Sequence, residues 1–299
     1  MPAAAMKKSE RRIVDRYRVA AGERFRLARW DPNETGGLDL EKEEARSLLA
    51  RGLEELLSLQ DKLYAQDRWA VLLVFQGMDA AGKDGTIKHV LSGLNPQGVQ
   101  VHSFKAPSGE ELDHDFLWRV ARYLPERGDI GIFNRSHYEE VLVVRVHREL
   151  LEARKLPPEV VTKNIWKERY DDINAFERHL ARNGTVIRKF FLNVSRGEQK
   201  KRLLARLDDP DKNWKFSSTD AQERGLWKDY ARAYEEMIAA TSTRWAPWYV
   251  VPADHKWFTR LVVADVIIQT LERLDLSYPK LSREKRLELA RVRKAIARS

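Results

Sequence analysis

The stretch "WAVLLVFQ" running into "GMDAAGKDG", residues 69–85, constrains the chain more than any other. An uncharged run rich in Val and Leu, stopped by a glycine, reads as a strand buried on both faces. Gly77, four residues, Gly82 and Lys83 then outline a phosphate loop. Such loops turn backbone N–H groups and a Lys ammonium toward phosphate oxygens. Its context, after a strand and before a helix, is the one that gives the motif meaning. Gly77, Ala80, Gly82, Asp84, Gly85 and Thr86 are therefore expected to line the cradle, with the first N–H groups of the following helix aimed at phosphate.

Two features of the loop depart from the usual pattern. Position 84 is Asp, where a Mg²⁺-holding Ser or Thr commonly follows the Lys. Asp79 lies inside the cradle, where it would repel a phosphate. A bridging Mg²⁺ resolves the conflict, because that ion takes one or two carboxylates together with phosphate oxygens and water. Asp79 as a turn-capping side chain is the plainer alternative.

The rest of the chain repeats the strand–helix alternation. Further strands are expected at 98–104, 129–135, 185–194 and 248–253. Helices are expected at 41–65, 108–124, 164–184, 195–210, 221–243 and 256–274. Ser108 with Glu111 and Ser195 with Glu198 have the spacing of N-terminal caps. Five strands alternating with helices argue an α/β fold with a parallel sheet covered on both faces. Ligands of such sheets bind at the carboxyl ends of the strands. Residues 1–40 read as an irregular N-terminal arm, 41–275 as the main domain, and 276–299 as a basic C-terminal helix.

The formal charge of +9 calls for an anionic partner. A nucleic acid, a membrane surface and a phosphorylated substrate all satisfy it. The chain has no cysteine, which excludes disulfides and thiolate chemistry. Its longest apolar runs are too short to span a bilayer, and its N-terminus lacks the apolar core of a secretory signal. A cytoplasmic location is expected, with no membrane partner.

The tip of the third strand, "FNRSHYEE", carries Asn134, Arg135, Glu139 and Glu140. Arg135 suits a clamp on a transferring phosphoryl group. Asn134 and Glu139 join Asp79 as candidate metal ligands, although either Glu also suits the first turn of a helix. His137 is read as a structural hydrogen bonder. The polar stretch "LDDPDKNWKFSSTD" lies where small-molecule kinases carry a mobile lid. The lid is expected at about 205–225, with Arg206, Lys212 and Lys215 facing phosphate. Lys88, Arg119, Arg122 and Arg145 follow strand tips and are candidates for lining a polyanion track.

Taken together and in order, "GMDAAGKDGTIKHVLSGLNPQGVQVHSFKAPSGEELDHDFLWR", "IFNRSHYEEVLVVRV", "RLDDPDKNWKF" and "APWYVVPADHKW" resemble polyphosphate kinase family 2 from about residue 15 to about residue 275. The resemblance implies a thymidylate-kinase-like P-loop fold: a three-layer sandwich with a five-stranded parallel sheet and a helical lid. It implies Mg²⁺-dependent phosphoryl transfer between inorganic polyphosphate and a nucleotide, with Mn²⁺ as a substitute ion. Asp79 and Lys83 match the loop carboxylate and Lys, Asn134 and Arg135 the third strand tip, and Lys212 and Lys215 the lid. "NRSHYE" is similar to the class that phosphorylates both AMP and ADP, and Glu139-Glu140 departs from the Glu-Asp common there. Adenine nucleotides, with guanine as an alternative, and a homo-oligomer (dimer or tetramer) are the expected partners. Two other readings stay open: an ATP-dependent kinase on the same fold, and a basic nucleic-acid-binding protein, for which no base-reading motif is present.

Overall fold

The computed structural model describes residues 12–298 except 23, 39, 212 and 214–217, and leaves the side chains of 12, 13, 42 and 218–221 aside. A short helix α1 (Arg12–Arg16) leads through an extended segment to α2 (Lys42–Gln66), which opens with a capping box between Glu41 and Glu44. Then come β1 (Ala70–Gln76), α3 (Lys83–Val90) and β2 (Val99–Ser103). Two single-turn helices follow, α4 (Gly109–Leu112) and α5 (Trp118–Ala121), before β3 (Ile130–Asn134). A 3-10 turn at His137–Val141 leads to α6 (Val143–Val146), α7 (Glu149–Glu152) and the long α8 (Ile165–Arg182). The chain closes with β4 (Thr185–Asn193), α9 (Arg196–Leu207), α10 (Ser218–Gly225), α11 (Trp227–Thr241), β5 (Trp248–Pro252), α12 (Lys256–Glu272) and α13 (Arg283–Ile296).

All strands are parallel, in the order β2-β3-β1-β4-β5. Every residue of central β1 is buried, as its unbroken apolar run requires. Val71, Leu73 and Phe75 face α2, α3 and α12. Leu72 and Val74 face the other way, toward α8 and α11. The two-residue period of a strand thus serves two cores and makes a three-layer sandwich.

Three expectations change on contact with the structure. The helix expected over 108–124 is two short ones. Ser108 and Glu111 do form their box, but the Asp115 carboxylate then accepts from the N–H groups of Leu117 and Trp118 and starts a second turn. The helix expected over 221–243 is likewise broken, between α10 and α11. The N-terminal segment, expected only as irregular, is also held to the body of the domain. Val14, Tyr17, Val19 and Phe25 are buried, Val19 N–H donates to Trp248 O (2.9 Å), and Val250 N–H donates to Tyr17 O (2.8 Å). These bonds cap the open edge of β5, which an unpartnered strand would otherwise offer to other chains. At the other end, no residue of α13 is buried, and Leu287, Leu289, Val292 and Ile296 are exposed. Among the described residues no helix is long and apolar enough to cross a membrane.

Beneath the sheet, on the α8 side, lies a charged pair with no access to water. Lys189 of β4 donates to Glu177 Oε2 (2.6 Å), Tyr138 Oη (2.7 Å) and Thr241 O (2.8 Å). Tyr138 in turn donates to Glu177 Oε1 (2.8 Å). Burial alone would raise the Glu177 carboxyl, but Lys189 and His137 outweigh it and hold the group below the usual carboxylate range. Removing one partner strands the other charge. Glu177→Leu is expected to cost about 3–5 kcal/mol in urea unfolding. The pair Lys189→Met with Glu177→Leu should cost less than the single change. A single variant as stable as the wild type would show that the pair contributes no net constraint.

Candidate active site

The carboxyl ends of β1 and β3 are neighbours, with Phe75 opposite Asn134. The ladder runs one residue further, since Arg135 N–H donates to Phe75 O (3.0 Å). The phosphate loop and the "NRSHYEE" turn therefore emerge side by side. At Gly77 a Cβ would stand 3.0 Å from Leu192 O, so a larger residue there would have to push β4 aside. Gly82 has φ 102°, and Ala80, which is no glycine, is left-handed at φ 60°. Arg135 is left-handed as well, at φ 63°. Non-glycine residues held this way cluster at ligand sites.

Arg135 forms the centre of the site. Its Nη2 donates to Asp79 Oδ1 (2.7 Å) and its Nη1 to Glu139 Oε2 (3.0 Å). Glu139, and after it Asp79, hold the guanidinium above its ordinary range despite partial burial. Lys83 is 8% exposed and donates to Gly77 O (2.6 Å) and Met78 O (3.3 Å), folded back over its own loop. Burial, and then the nearby Arg135 charge, push its ammonium down to about 8, against the pull of Asp79 and Glu139. Trp227, Tyr230 and Tyr234 wall the cleft above Asp79 and Arg135. Burial and the Glu139 carboxylate raise the Tyr234 phenol.

Asn134 turns its amide nitrogen to Asp84 Oδ1 (2.8 Å), while its buried Oδ1 has no hydrogen-bond partner. A neutral oxygen left in that state is of the kind that suits a hard cation. Asp79, Glu139 and Asn134 thus fit Mg²⁺ chemically. Among the described residues no three His, Cys, Asp or Glu side chains converge on one point. A cation here would take much of its shell from phosphate oxygens and water, as Mg²⁺ commonly does.

Other expected site residues lie elsewhere. Glu140 is next to Glu139 but faces away from the loop. It is 2% exposed and held by Arg154 (2.6 Å) and Arg169 (3.7 Å). With Phe116, Leu117 and Phe176 these groups line a second cavity. Burial raises the Glu140 carboxyl, and the two arginines oppose that shift. Arg119 pairs with Glu111 and Lys105 O, Arg122 with Glu110, and Arg145 with Glu236 and the Tyr170 hydroxyl. Each of these three candidates for the polyanion track therefore has a carboxylate partner within the protein. Lys88 is exposed on α3, and Gly85 and Thr86 fall in its first turn, as expected. Arg206 ends α9. Lys212 and Lys215 lie outside the described residues. His137 is buried, with its Nε2 3.5 Å from Glu177, far from any reacting role. Missed from sequence were Gln199, Arg202 and Arg224, which touch the loop or its supports. Only the Glu198/Arg202 spacing hinted at them.

Comparison with known proteins agrees with this fold. The family model described as "Polyphosphate kinase 2" matches residues 39–279. An ADP-polyphosphate phosphotransferase of Rhodopseudomonas palustris is 53% identical over 281 residues, covering 94% of this chain and 97% of the relative. An AMP/ADP-polyphosphate phosphotransferase of Meiothermus ruber is 46% identical over 89% of this chain and 96% of its own. The crystal structure of a polyphosphate kinase 2 from Arthrobacter aurescens superposes with TM-score 0.85 at 42% identity, covering 94% and 96% of the two chains. The fold is that of a P-loop kinase.

The position of Lys83 sets a pH signature. Its folded value near 8 means that the ligand-free protein loses this proton as pH rises through that point. A bound phosphate chain favours the charged form and restores the proton. Binding of tripolyphosphate at about pH 9 should therefore take up close to one proton, and little at about pH 7. Calorimetry in buffers of different ionisation enthalpy measures this. Uptake that survives Lys83→Met would assign the proton to another group.

Proposed function

The chain belongs to the polyphosphate kinase 2 family, and on that premise we propose that it transfers phosphoryl groups reversibly between inorganic polyphosphate and the nucleotides AMP and ADP. The observation that carries this reading is Arg135 held between Asp79 and Glu139 at the mouth of a phosphate loop. A terminal phosphate oxygen of the nucleotide attacks the end phosphorus of the chain. The bond from that phosphorus to the bridging oxygen breaks, and a polyphosphate shorter by one unit leaves. Such transfer needs positioning and charge stabilisation more than covalent chemistry. Phosphates lie over the loop N–H groups and the start of α3, Lys83 turns from its own carbonyls to them, and Arg135 stabilises the charge on the group in flight. The burial of His137 supports direct transfer without a phosphohistidine.

Mg²⁺ would be held by Asp79 with Asn134 Oδ1 and Glu139, and would neutralise and orient phosphate oxygens. That role explains a carboxylate inside a phosphate cradle. We assign the nucleoside of the acceptor to the second cavity, on the far side of the 137–141 turn, where Phe116 and Phe176 offer apolar surface and Glu140 with Arg154 and Arg169 offers polar contacts. Residues 205–225 act as the lid that excludes water. The exposed apolar side chains of α13 support assembly into a homo-oligomer. The setting proposed for this chemistry is the cytoplasm.

A luminescence assay with purified protein, polyphosphate, Mg²⁺ and ADP or AMP, without added ATP, tests the reading. ATP should appear from both acceptors. Asp79→Asn should keep the fold and lose about 100-fold in turnover, the scale of one lost transition-state electrostatic contact. Phe116→Ala should raise KM for the nucleotide several-fold and leave that for polyphosphate unchanged. A protein that phosphorylates nucleotides only with ATP as donor would refute polyphosphate as substrate.

A further inference from the structure

The phosphate loop is held from behind by a single helix. α9 begins directly after β4, with Ser195 as its cap. Two of its side chains grip three consecutive carbonyls of the loop. Gln199 Nε2 donates to Asp79 O (3.0 Å), and Arg202 Nη1 donates to Ala80 O (3.1 Å) and Ala81 O (3.0 Å). The other arm of the same guanidinium holds the tip of β5, donating from Nη2 to Ala253 O (2.6 Å) and Asp254 O (3.0 Å). Glu198, one turn earlier, accepts from Nε (2.8 Å) and balances the charge. The side chain of Arg202 is 9% exposed.

Peptide planarity converts this grip into a statement about the cradle. In a trans peptide the carbonyl and the next N–H point in opposite directions. Fixing the carbonyls of Asp79 and Ala81 to α9 aims the N–H groups of Ala80 and Gly82 away from it. Ala80 is left-handed, and a loop in that state persists only when its surroundings determine it. Arg202 supplies bonds that Lys cannot copy, because only a planar fork reaches both loops at once.

Gln199 adds a connection. Arg224 in the last turn of α10 donates from Nη1 to Gln199 Oε1 (2.7 Å). A guanidinium only donates, so it fixes which end of the Gln199 amide is oxygen and presents the NH₂ to Asp79 O. α10 leads out of the proposed lid, so the loop is bonded through one amide to the segment that would close over it.

We propose that Gln199 and Arg202 are positioning residues of the phosphate loop, and that Arg224 links the lid helix to the loop by fixing the Gln199 amide. The catalytic consequence rests on the function proposed above, whereas the ordering of the loop does not. The test follows amide hydrogen exchange of residues 78–84 by mass spectrometry, with thermal unfolding, kcat and KM for polyphosphate, in Gln199→Leu, Arg202→Lys, Arg224→Ala and the Gln199→Leu/Arg224→Ala pair. Exchange at 78–84 should rise at least tenfold in each variant, with the protection of β1 unchanged. kcat should fall at least tenfold, and the double variant should match Gln199→Leu alone. Unchanged exchange in Gln199→Leu overturns the proposal, even if activity falls. So does faster exchange with kcat within threefold of wild type, and so does additivity in the double variant for the Arg224 link. Should Arg202→Lys fail to fold, Gln199→Leu decides. A wild type inactive with polyphosphate sinks the functional reading, and the exchange data still decide the positioning.

Discussion

A lysine with no exposed surface sits in the fourth strand, and one layer of the molecule is arranged to neutralise it. Lys189 cannot reach water, so its charge must be met inside. Glu177 of α8 supplies the opposite charge, Tyr138 a hydroxyl and the end of α11 a carbonyl. Those partners come from three separate stretches of chain, and one of them is the turn that begins at Arg135. Tyr138 is fixed below by this network, and Ser136 is fixed by Gln76 at the end of β1. The turn therefore has little freedom, and the side chains it sends the other way, Arg135 and Glu139, arrive at a defined place. Such a pair adds less to stability than to uniqueness, because desolvating both charges offsets most of their attraction.

The phosphate loop follows the same logic from the other side. Its backbone has positive φ at Gly82, where glycine accommodates it, and at Ala80, where the side chain does not favour it. Support comes from behind, through α9, and from in front, through Arg135. The cationic groups of the cradle have partners within the protein. Arg135 takes two carboxylates and Lys83 takes two carbonyls of its own loop. These contacts hold the charges near their working positions. They also mean that a polyanion must displace weaker internal partners, and part of its binding energy is spent on that exchange.

The parts of this design governed by local rules were legible in the sequence. Five strands, the phosphate loop, the Ser108 and Ser195 caps and the meeting of Asp79 with Arg135 follow from period, punctuation and strand-tip reasoning. The Asx turn at Asp115, which splits one expected helix, is a local rule that the helical pattern masked. What stayed hidden depends on which way a side chain turns. Nothing in "HYEEV" tells that Glu139 and Glu140 face opposite cavities, since a 3-10 turn rotates neighbours by about 120° and the partner of each comes from distant chain. Arg119 and Arg145 looked available because their carboxylates, Glu111 and Glu236, are apparent only in three dimensions. Arg202 forms an i,i+4 pair with Glu198. Its other four bonds go to carbonyls, which carry no residue-type signal at all.

That last point bears on how such a site tolerates change. A side chain that recognises backbone carbonyls is indifferent to the identity of the residues it holds. Ala80 and Ala81 could be exchanged for other small residues without loss of the Arg202 bonds, whereas Arg202 itself has no substitute of equal reach. Asp79 is constrained twice, through its carboxylate by Arg135 and through its carbonyl by Gln199. The carboxylate that looked out of place in a phosphate loop is therefore the residue whose position the fold determines most fully. Its backbone is held by the helix behind and its side chain by the turn in front, so the charge it carries is fixed at the mouth of the phosphate loop.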